Sequence, residues 1–514
     1  MCWPASRCGA SGRWSRSISW TSVTQRTPLR SRPWRLVGGT GPAAAAPRVA
    51  AAAGVAAAAA AEAVAGADPA RPSGRRLIPR AHRRNLPRQF KGEKVVVSRR
   101  LFIGAAAAAS FAGPALAAKP KHASKPKAAA KPGSLAANAK PISKEERQAR
   151  IAKAQRLMGE QGVGALLVES GSTLDYFTGV QWHRSERVTA AVIPAKGEVI
   201  IVTPHFEEPS VRETFQVGGD VRPWDEHENP FALIAKSIAD RGGAGKPLAI
   251  ESTTRFYIVD QVQKAGNFQI TPGDPVVRPC RMFKSPHELA LMQCASDITM
   301  AAYARVYPQV QKGMTQHDIA RLMDQATAEL GGGGEGFSLV LLNEAAAYPH
   351  GSRQPQTVKD GGVVLMDCGT SVHGYQSDIS RTWVHGRPSK RQRKVWDTVK
   401  RGQEIALETA KLGTPCGAID RAVRAYYERE GWGPGYNLPG LSHRTGHGIG
   451  MDGHENPYLV LSDDTPLEPG MCFSDEPGLY IPGEFGIRLE DCWHMTETGP
   501  KLFSGLAKSL DNPI

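Results

Sequence analysis

The sequence predicts a mixed α/β (α+β) protein with a smaller domain over residues 143–277 and a larger domain over residues 278–514. Helix and strand signals alternate from residue 143 onward. A second helix-start signal lies at Ser285, and strand-like runs dominate after Gly336. With 514 residues, 41% of them hydrophobic and 22% charged, the chain can bury a sizeable core in more than one domain.

The basic charge of the chain is confined to its first part. Residues 1–142 carry 25 Lys and Arg against three acids, a net of +22, whereas the whole chain carries +15, so the rest carries −7. Because the excess lies in a low-complexity stretch rather than on a folded surface, we expect no binding to nucleic acid. We expect residues 1–94 to be disordered. The absence of methionine between Met1 and Met158 supports a further interpretation, in which translation begins among Val95–Val97 and the upstream stretch is not made.

A targeting signal is predicted over residues 95–118. Arg99 and Arg100 precede the apolar run Leu101–Ala112, and small residues after it form a cleavage site. The run is too short for a stable membrane span. The arginine pair is typical of the twin-arginine route, and an ordinary secretory signal with two chance arginines is the alternative. We therefore expect a periplasmic or secreted protein, with a mobile Lys/Ala/Pro linker over residues 119–142.

Local signals justify the elements of the smaller domain. Ser143 and the glutamates after it form a capping-box pattern that begins a helix, and Gly162–Gly164 ends it. The run Gly164–Val168 predicts a buried strand. Val188–Pro194 and Glu198–Thr203 are β-rich runs joined by a short turn, so we predict a hairpin there.

The larger domain begins with a second capping pattern. Ser285 is followed by a proline at the first helical position and by Glu288 at the third. Apolar periodicity predicts a helix after this cap and three further helices. Those three lie over Gln316–Leu330, near Lys390–Leu412 and near Ala418–Glu430.

A strand–turn–strand pattern places two aspartates near each other. If its turn is centred between Val372 and His373, Asp367 and Asp378 stand directly opposite each other. Like charges in this arrangement destabilise a sheet unless a cation lies between them. The pattern therefore predicts a cation site.

A second hairpin pattern repeats the arrangement with glutamates. With its turn centred on Gly483, Glu476 and Glu490 face each other. Between the two hairpins, glycines flank His447 and allow backbone or a ligand to approach its ring closely.

Together these four carboxylates and one imidazole form an oxygen-rich ligand set. Such a set suits Mn²⁺ better than it suits a structural zinc site, which favours Cys and His. Because carboxylates can bridge, five side chains can hold two ions roughly 3.5–4 Å apart. We predict two divalent metal ions, Mn²⁺ in first place and Co²⁺ or Zn²⁺ as alternatives.

The same motifs resemble a known family. The runs DCGTSVHGYQSDISRT, HRTGHGIG and DEPGLYIPGEFGIRLED look like the three metal-binding motifs of the pita-bread metallopeptidases, in the creatinase/methionine aminopeptidase superfamily. Prolidase and Xaa-Pro aminopeptidase are the most similar members. The resemblance covers residues 143–514 and implies a creatinase/prolidase-like N-terminal domain before a pita-bread catalytic domain. By that match the metal ligands are Asp367, Asp378, His447, Glu476 and Glu490.

The resemblance also implies roles for residues around these ligands. His350, His443 and His454 stand where the family has residues that orient substrate and stabilise the tetrahedral intermediate, and imidazoles there can donate to a developing oxyanion. The alternative for each is a structural histidine with satisfied hydrogen bonds. Arg488, two residues before Glu490, shares its strand face and is expected to support the ligand carboxylates.

The implied activity is metal-dependent hydrolysis of Xaa-Pro peptide bonds, through a hydroxide activated by two metal ions. Glu476 takes the proton of the attacking water in this mechanism. The substrate is a peptide with proline in the second position, and members of the family are commonly homodimers. Two alternatives are a non-proline aminopeptidase of the same superfamily and a non-enzymatic peptide-binding module on the same fold, although such a module is expected to have lost ligands. The choice between dipeptides and longer peptides stays open.

Replacing Arg99 and Arg100 with lysine is expected to block export, because twin-arginine recognition reads the guanidinium pair. The wild-type mature chain is expected to begin near Ala118, outside the cytoplasm. Cell fractionation and N-terminal sequencing measure both. Export that persists in the lysine variant and depends on the general secretory route would show that the twin-arginine interpretation is wrong.

Overall fold

The computed structural model describes residues 133–333 and 336–514. The predictions for residues 1–94, for the targeting signal over 95–118 and for the linker up to residue 132 lie outside this part. Within it, no helix combines the length and the hydropathy that a membrane span requires. The described residues form a mixed α/β structure with a smaller N-terminal and a larger C-terminal domain, as predicted.

The smaller domain is built on one six-stranded sheet. Its strands are β1 (Ala165–Glu169), β2 (Ala190–Pro194), β3 (Ile200–Pro204), β4 (Asp220–Trp224), β5 (Leu248–Ile250) and β6 (Ile270–Pro272). Their order is β4-β3-β2-β1-β5-β6, with β1–β2 and β2–β3 antiparallel and the other pairs parallel. The predicted strand and the predicted hairpin are both present.

Helices cover both faces of this sheet. They are α1 (Lys144–Glu160), α2 (Ser172–Thr178), α3 (Glu208–Thr214), α4 (Pro230–Asp240), α5 (Phe256–Gly266) and α6 (Asp274–Arg281). Apolar residues of α4 and α5 pack on one face, and those of the other four helices pack on the opposite face. The predicted capping box at Ser143 begins α1, since its side chain and that of Glu146 each bond the other's backbone N–H.

The prediction of a mobile linker over residues 119–142 is wrong for its last ten residues. Residues 133–142 pack on the folded body, with Ser134 and Ile142 buried. They include a short 3₁₀ turn, Leu135–Asn138, and small side chains of this segment join the main apolar core. The Lys/Pro repeat ends before this point, and the alanines and Ile142 that follow have apolar surface to bury.

Four long helices of the larger domain occur where the sequence predicts them. They are α7 (Pro286–Val306), α8 (Gln316–Leu330), α9 (Lys390–Thr409) and α10 (Cys416–Arg429). The capping box at Ser285 begins α7, as predicted. Helix α9 ends three residues before the predicted Leu412, and α10 begins two residues before the predicted Ala418.

The strands of the larger domain form one three-stranded sheet, one five-stranded sheet and two short hairpin ladders. They are β7 (Phe337–Leu342), β8 (Gly362–Gly369), β9 (Ser371–Val372), β10 (Tyr375–Gln376), β11 (Ile379–His385), β12 (Gly446–Gly448), β13 (Glu455–Leu459), β14 (Cys472–Asp475), β15 (Gly478–Ile481), β16 (Phe485–Arg488), β17 (Asp491–Thr496) and β18 (Gly499–Leu502). The sheets have the orders β11-β8-β7 and β13-β12-β14-β17-β18, and the ladders are β9–β10 and β15–β16.

A buried ion pair joins the two larger sheets. Arg381 on β11 and Asp491 on β17 are 2.7 Å apart, and both side chains are fully buried. Arg381 also donates to the backbone oxygen of Glu490 at 2.8 Å. Because a buried charge without its partner is strongly unfavourable, this pair fixes one hairpin against the other.

The two domains share one apolar core and a buried polar network. Arg150 on α1 donates to the hydroxyl of Tyr375 on β10 at 2.8 Å and lies 3.0 Å from Glu288 at the start of α7. Apolar residues from both domains belong to the same core cluster. The smaller domain is therefore packed directly on the hairpin that carries the predicted aspartates.

Candidate metal centre

The first hairpin carries Asp367 and Asp378, but its register differs from the prediction. Strands β8 and β11 pair so that Asp367 faces Ser380, two residues beyond Asp378. The predicted direct opposition is wrong because the turn lies at His373-Gly374, where φ is 50° and 88°, one residue later than predicted. A shift of two residues leaves a side chain on the same strand face, so both carboxylates still point to one side.

In the second hairpin the predicted register is the observed one. The β14–β17 and β15–β16 ladders have the same register. Glu476 and Glu490 lie between the two ladders, and this shared register places them opposite each other. Gly483 in the turn has a φ of 80°, which favours glycine. Both glutamates line the same cavity as the two aspartates.

His447 on β12 directs one ring nitrogen toward the carboxylates. Its Nδ1 lies 3.0 Å from the carbonyl oxygen of Gly448, so Nδ1 carries the hydrogen and Nε2 has a free lone pair. Nε2 is 3.4 Å from Glu476 Oε1 and 3.7 Å from Asp378 Oδ2. A Cβ at Gly446 would lie 2.1 Å from the backbone oxygen of Ser474 on β14. Only a glycine at this position therefore lets the two strands lie so close together.

Three overlapping groups of side chains bring possible ligand atoms within 4.8 Å of one another. One oxygen each of Asp367, Asp378 and Glu490 is buried with no hydrogen-bond partner in the described part of the chain. Such an oxygen is unfavourable unless a cation binds it, so the residues fit divalent metal ions. The groups are Asp378, His447 and His454; His447, Glu476 and Glu490; and Asp367, Asp378 and Glu490.

Burial and mutual repulsion raise the pKa values of three carboxyl groups in the cavity, those of Asp378, Glu490 and Glu476. Burial is the main cause of the raised pKa of Asp378, followed by the charges of Asp367 and Glu476. Burial also raises the pKa of Glu490, with the charge of Asp378 as the next cause. For Glu476, burial raises the pKa to about 8, although the Arg488 guanidinium opposes the shift. Because the raised pKa values favour the protonated form and a bound cation favours the ionised form, metal binding at these groups is coupled to proton release.

Arg488 contacts the ligand carboxylates directly and through a serine. Its Nη2 is 2.5 Å from Asp367 Oδ2, and its Nε donates to Ser380 Oγ at 3.0 Å. Ser380 Oγ in turn donates to Glu490 Oε2 at 2.9 Å. Asp367 and Glu490 thus each have one oxygen held by hydrogen bonds, while the other has no partner among the described residues.

His443 has both ring nitrogens occupied. Nδ1 lies 2.7 Å from the carbonyl oxygen of Arg444 and therefore donates, so Nε2 accepts from the Tyr480 hydroxyl at 2.7 Å. Burial lowers the pKa of His443 to about 3, which keeps the ring neutral. The same hydroxyl accepts from Arg488 at 3.2 Å. This geometry gives His443 a positioning contact with Arg488 through Tyr480.

All nine sequence-predicted site residues line one cavity of about 410 Å³. His454 and His350 are exposed side chains in its wall. The His454 ring centroid lies 3.9 Å from that of His447, and the ring belongs to one of the three possible ligand groups. Both histidines can therefore contact a substrate, and His454 also lies within reach of a metal ion.

Two cationic side chains at the junction of the domains, Arg281 and Lys284, hold the loop that carries His454. The sequence alone did not reveal this role. Arg281 contacts Asp452 at 2.9 Å and Glu455 at 2.7 Å, and Lys284 contacts Glu455 at 2.5 Å. Arg281 ends α6 and Lys284 lies just before α7, close to the boundary of the two domains, but only the fold brings them to Glu455. The two acids flank His454, so these contacts position its loop over the cavity.

Comparisons with known proteins match both domains of the chain. The profile of metallopeptidase family M24 matches residues 290–497, and that of the creatinase/prolidase N-terminal domain matches residues 150–283. Over 364 residues the chain is 31% identical to the Xaa-Pro dipeptidase of Lactobacillus helveticus, and the match covers 70% of this chain and 97% of that relative. The chain belongs to metallopeptidase family M24.

Other relatives of this metallopeptidase have related names. The probable dipeptidase PepE of Mycobacterium tuberculosis is 30% identical, over 68% of this chain and 92% of that relative. The solved prolidase structure from Thermococcus sibiricus matches with a TM-score of 0.64 at 28% identity, over 70% of this chain and 97% of that chain. The predicted family and fold are confirmed, and the protein is a metal-dependent exopeptidase.

The metal-free metallopeptidase is expected to lose stability as pH rises from 6.5 to about 8. The pKa of Glu476 is raised to about 8 in the folded protein, so its stabilising proton is lost across this window, whereas the unfolded chain is already ionised. Starting at 6.5 leaves only a small remainder of the opposite effect of His443, whose pKa is lowered to about 3, because at its ordinary pKa of 6.5 half of the unfolded histidine is already deprotonated. Thermal unfolding of chelator-treated protein measures the trend.

Added Mn²⁺ is expected to reverse this loss, because the ion replaces the departing protons. Mg²⁺-free buffer without Mn²⁺ is the control. A midpoint temperature of the metal-free protein that rises steadily with pH over the same window would contradict the carboxylate cluster as its main determinant.

Proposed function

We propose that this metallopeptidase hydrolyses the peptide bond before a proline in the second position, using two divalent metal ions. One observation carries the proposal: the five predicted ligands converge, and three of their carboxylate oxygens are buried with no partner in the described residues. The names of two relatives, an Xaa-Pro dipeptidase and a prolidase, support the proline preference.

The proposed ligands are the five predicted residues, with Mn²⁺ favoured by their four carboxylates and Co²⁺ or Zn²⁺ as alternatives. When bound, the ions lower the pKa of a water molecule and polarise the scissile carbonyl. Ser380 and Arg488 hold the outer oxygens of Glu490 and Asp367, so these ligands are oriented before substrate binds.

Proton transfer is assigned to Glu476. Its carboxylate lines the cavity, with Oε1 3.4 Å from His447 Nε2, and can accept a proton from water and pass it to the leaving amine. His454, in the cavity wall, donates a hydrogen bond to the developing oxyanion. His350 lies in the same wall and holds the substrate.

A broader dipeptidase is the second candidate. The probable dipeptidase PepE of Mycobacterium tuberculosis matches this chain almost as well as the Xaa-Pro dipeptidase does, and its name carries no proline requirement. Export by the twin-arginine route and assembly as a homodimer complete the proposal. N-terminal sequencing of exported protein and the mass of the purified protein in solution test these two points.

Hydrolysis of Ala-Pro is expected to exceed that of Ala-Leu in protein reloaded with Mn²⁺, and two bound ions per chain are expected by elemental analysis. Asp378→Ala is expected to lose both turnover and metal, because Asp378 belongs to two of the three ligand groups. Asp360→Ala, at an exposed aspartate, is the matched control. Equal rates on both dipeptides would favour the broader dipeptidase, and full turnover of Asp378→Ala with two ions bound would refute the ligand assignment.

His454→Ala is expected to lower kcat by about 10²–10³ while metal content is retained, because a donor to the oxyanion acts on charge that forms only in the transition state. Bound metal and turnover are measured on the same preparation, with His317→Ala, at an exposed histidine, as the control.

Loss of metal in proportion to activity would make His454 a ligand, which its place in a possible ligand group permits. If neither quantity changes, His350 becomes the candidate donor.

A further inference from the structure

Arg444 is a cationic side chain in the wall of the metal cavity to which the proposed mechanism gives no role. It lies three residues before His447, in the loop that leads into β12. Its guanidinium carbon is 4.3 Å from the ring centroid of Tyr458. Tyr458 pairs directly with His447 in the β12–β13 ladder, so the two side chains share a face of the sheet. The stacking therefore fixes the guanidinium beside the ligand histidine.

In the described part of the chain the Arg444 guanidinium has no carboxylate partner. Among the described residues, no hydrogen bond or ion pair joins it to an acidic side chain, whereas Arg488 in the same cavity contacts Asp367 at 2.5 Å. The nearby Arg424 is likewise paired, with Asp420 at 3.0 Å. Arg444 is only partly buried, so its five N–H donors remain available to a ligand in the cavity.

Charge balance indicates what kind of ligand this is. Two divalent ions would balance the four ligand carboxylates, so the two arginines of the cavity carry an excess of positive charge, and Arg488 is held in place by Asp367. The charge of Arg444 then stays uncompensated and favours an anion. A planar guanidinium matches a carboxylate through two parallel hydrogen bonds. The anionic group that a short peptide always brings is its C-terminal carboxylate.

The size of the cavity limits how far that carboxylate is from the scissile bond. Its volume of about 410 Å³ is near the lower end of ligand pockets. In a dipeptide the carboxylate follows one residue after the cleaved bond, whereas in a longer peptide an uncharged amide occupies that place. An unpaired arginine in a small cavity therefore distinguishes the two substrate classes.

We propose that Arg444 binds the C-terminal carboxylate of the substrate and makes this enzyme a dipeptidase rather than an aminopeptidase of longer peptides. The inference rests on the proposed function only in placing peptide hydrolysis at this cavity. It does not require the second residue of the substrate to be proline.

The test compares Ala-Pro, Ala-Pro-amide and Ala-Pro-Ala on Mn²⁺-loaded wild type, Arg444→Gln and Arg444→Lys. Wild type is expected to prefer the free dipeptide over its amide roughly 10- to 100-fold in kcat/KM, the range for a hydrogen-bonded charge. Arg444→Gln is expected to lose this preference mainly through KM, with metal content and hydrolysis of the amide unchanged. Arg444→Lys is expected to restore part of it.

Arg429→Gln is the matched control, because Arg429 also stacks on a tyrosine, Tyr426, but lies on the exposed surface of α10. Calorimetry with proline and prolinamide provides a readout besides activity. Arg444→Gln is expected to weaken the binding of proline, which has a free carboxylate, and to leave the binding of prolinamide unchanged.

Three results would overturn the inference: equal use of dipeptide and amide by wild type, a preference that survives in Arg444→Gln, or loss of metal in that variant. If no Xaa-Pro compound is cleaved, the proposed proline specificity fails on its own. Ala-Leu against Ala-Leu-amide, together with the calorimetry, then still tests Arg444.

Discussion

The concentration of negative charge in one buried cavity is the constraint on which the rest of the structure depends. Asp378 and Glu490 are buried among other carboxylates, and each has an oxygen that no described group satisfies. In a medium of low dielectric constant such a group must hold a proton or a cation. The two hairpins, the glycines beside His447 and the Arg488 network all serve to hold these side chains where one cation can contact several of them.

How well the sequence predicted the fold depended on how local each determinant is. The capping boxes at Ser143 and Ser285 need only neighbouring residues, and both helices begin where predicted. The register at Glu476 and Glu490 was predictable because Gly483 marks its turn. In the first hairpin the turn uses His373 with a positive φ, an uncommon choice for a residue other than glycine, and the predicted register was wrong by two residues.

The rest of the site depends on contacts between distant parts of the chain. The motifs pointed to nine of the residues that line the cavity, because metal ligands need specific residue types at specific spacings. They could not reveal that Ser380 links Arg488 to Glu490, or that Arg444 has no acidic partner in the described chain. Whether a side chain has a hydrogen-bond or ion-pair partner depends on residues that are distant in the sequence. A short sequence motif therefore does not reveal it. The same holds for residues 133–142, whose packing surface lies on another domain.

The contacts of Arg281 and Lys284 with Glu455 have a consequence for how this protein could be divided or recombined. The chain segment that joins the domains also anchors the loop next to the metal site. A catalytic domain excised after this segment would keep the proposed metal ligands but lose the two cationic side chains that fix that loop. Exchanging smaller domains between relatives would likewise replace part of the active-site scaffold. The boundary that divides the fold into two domains thus does not divide its catalytic apparatus.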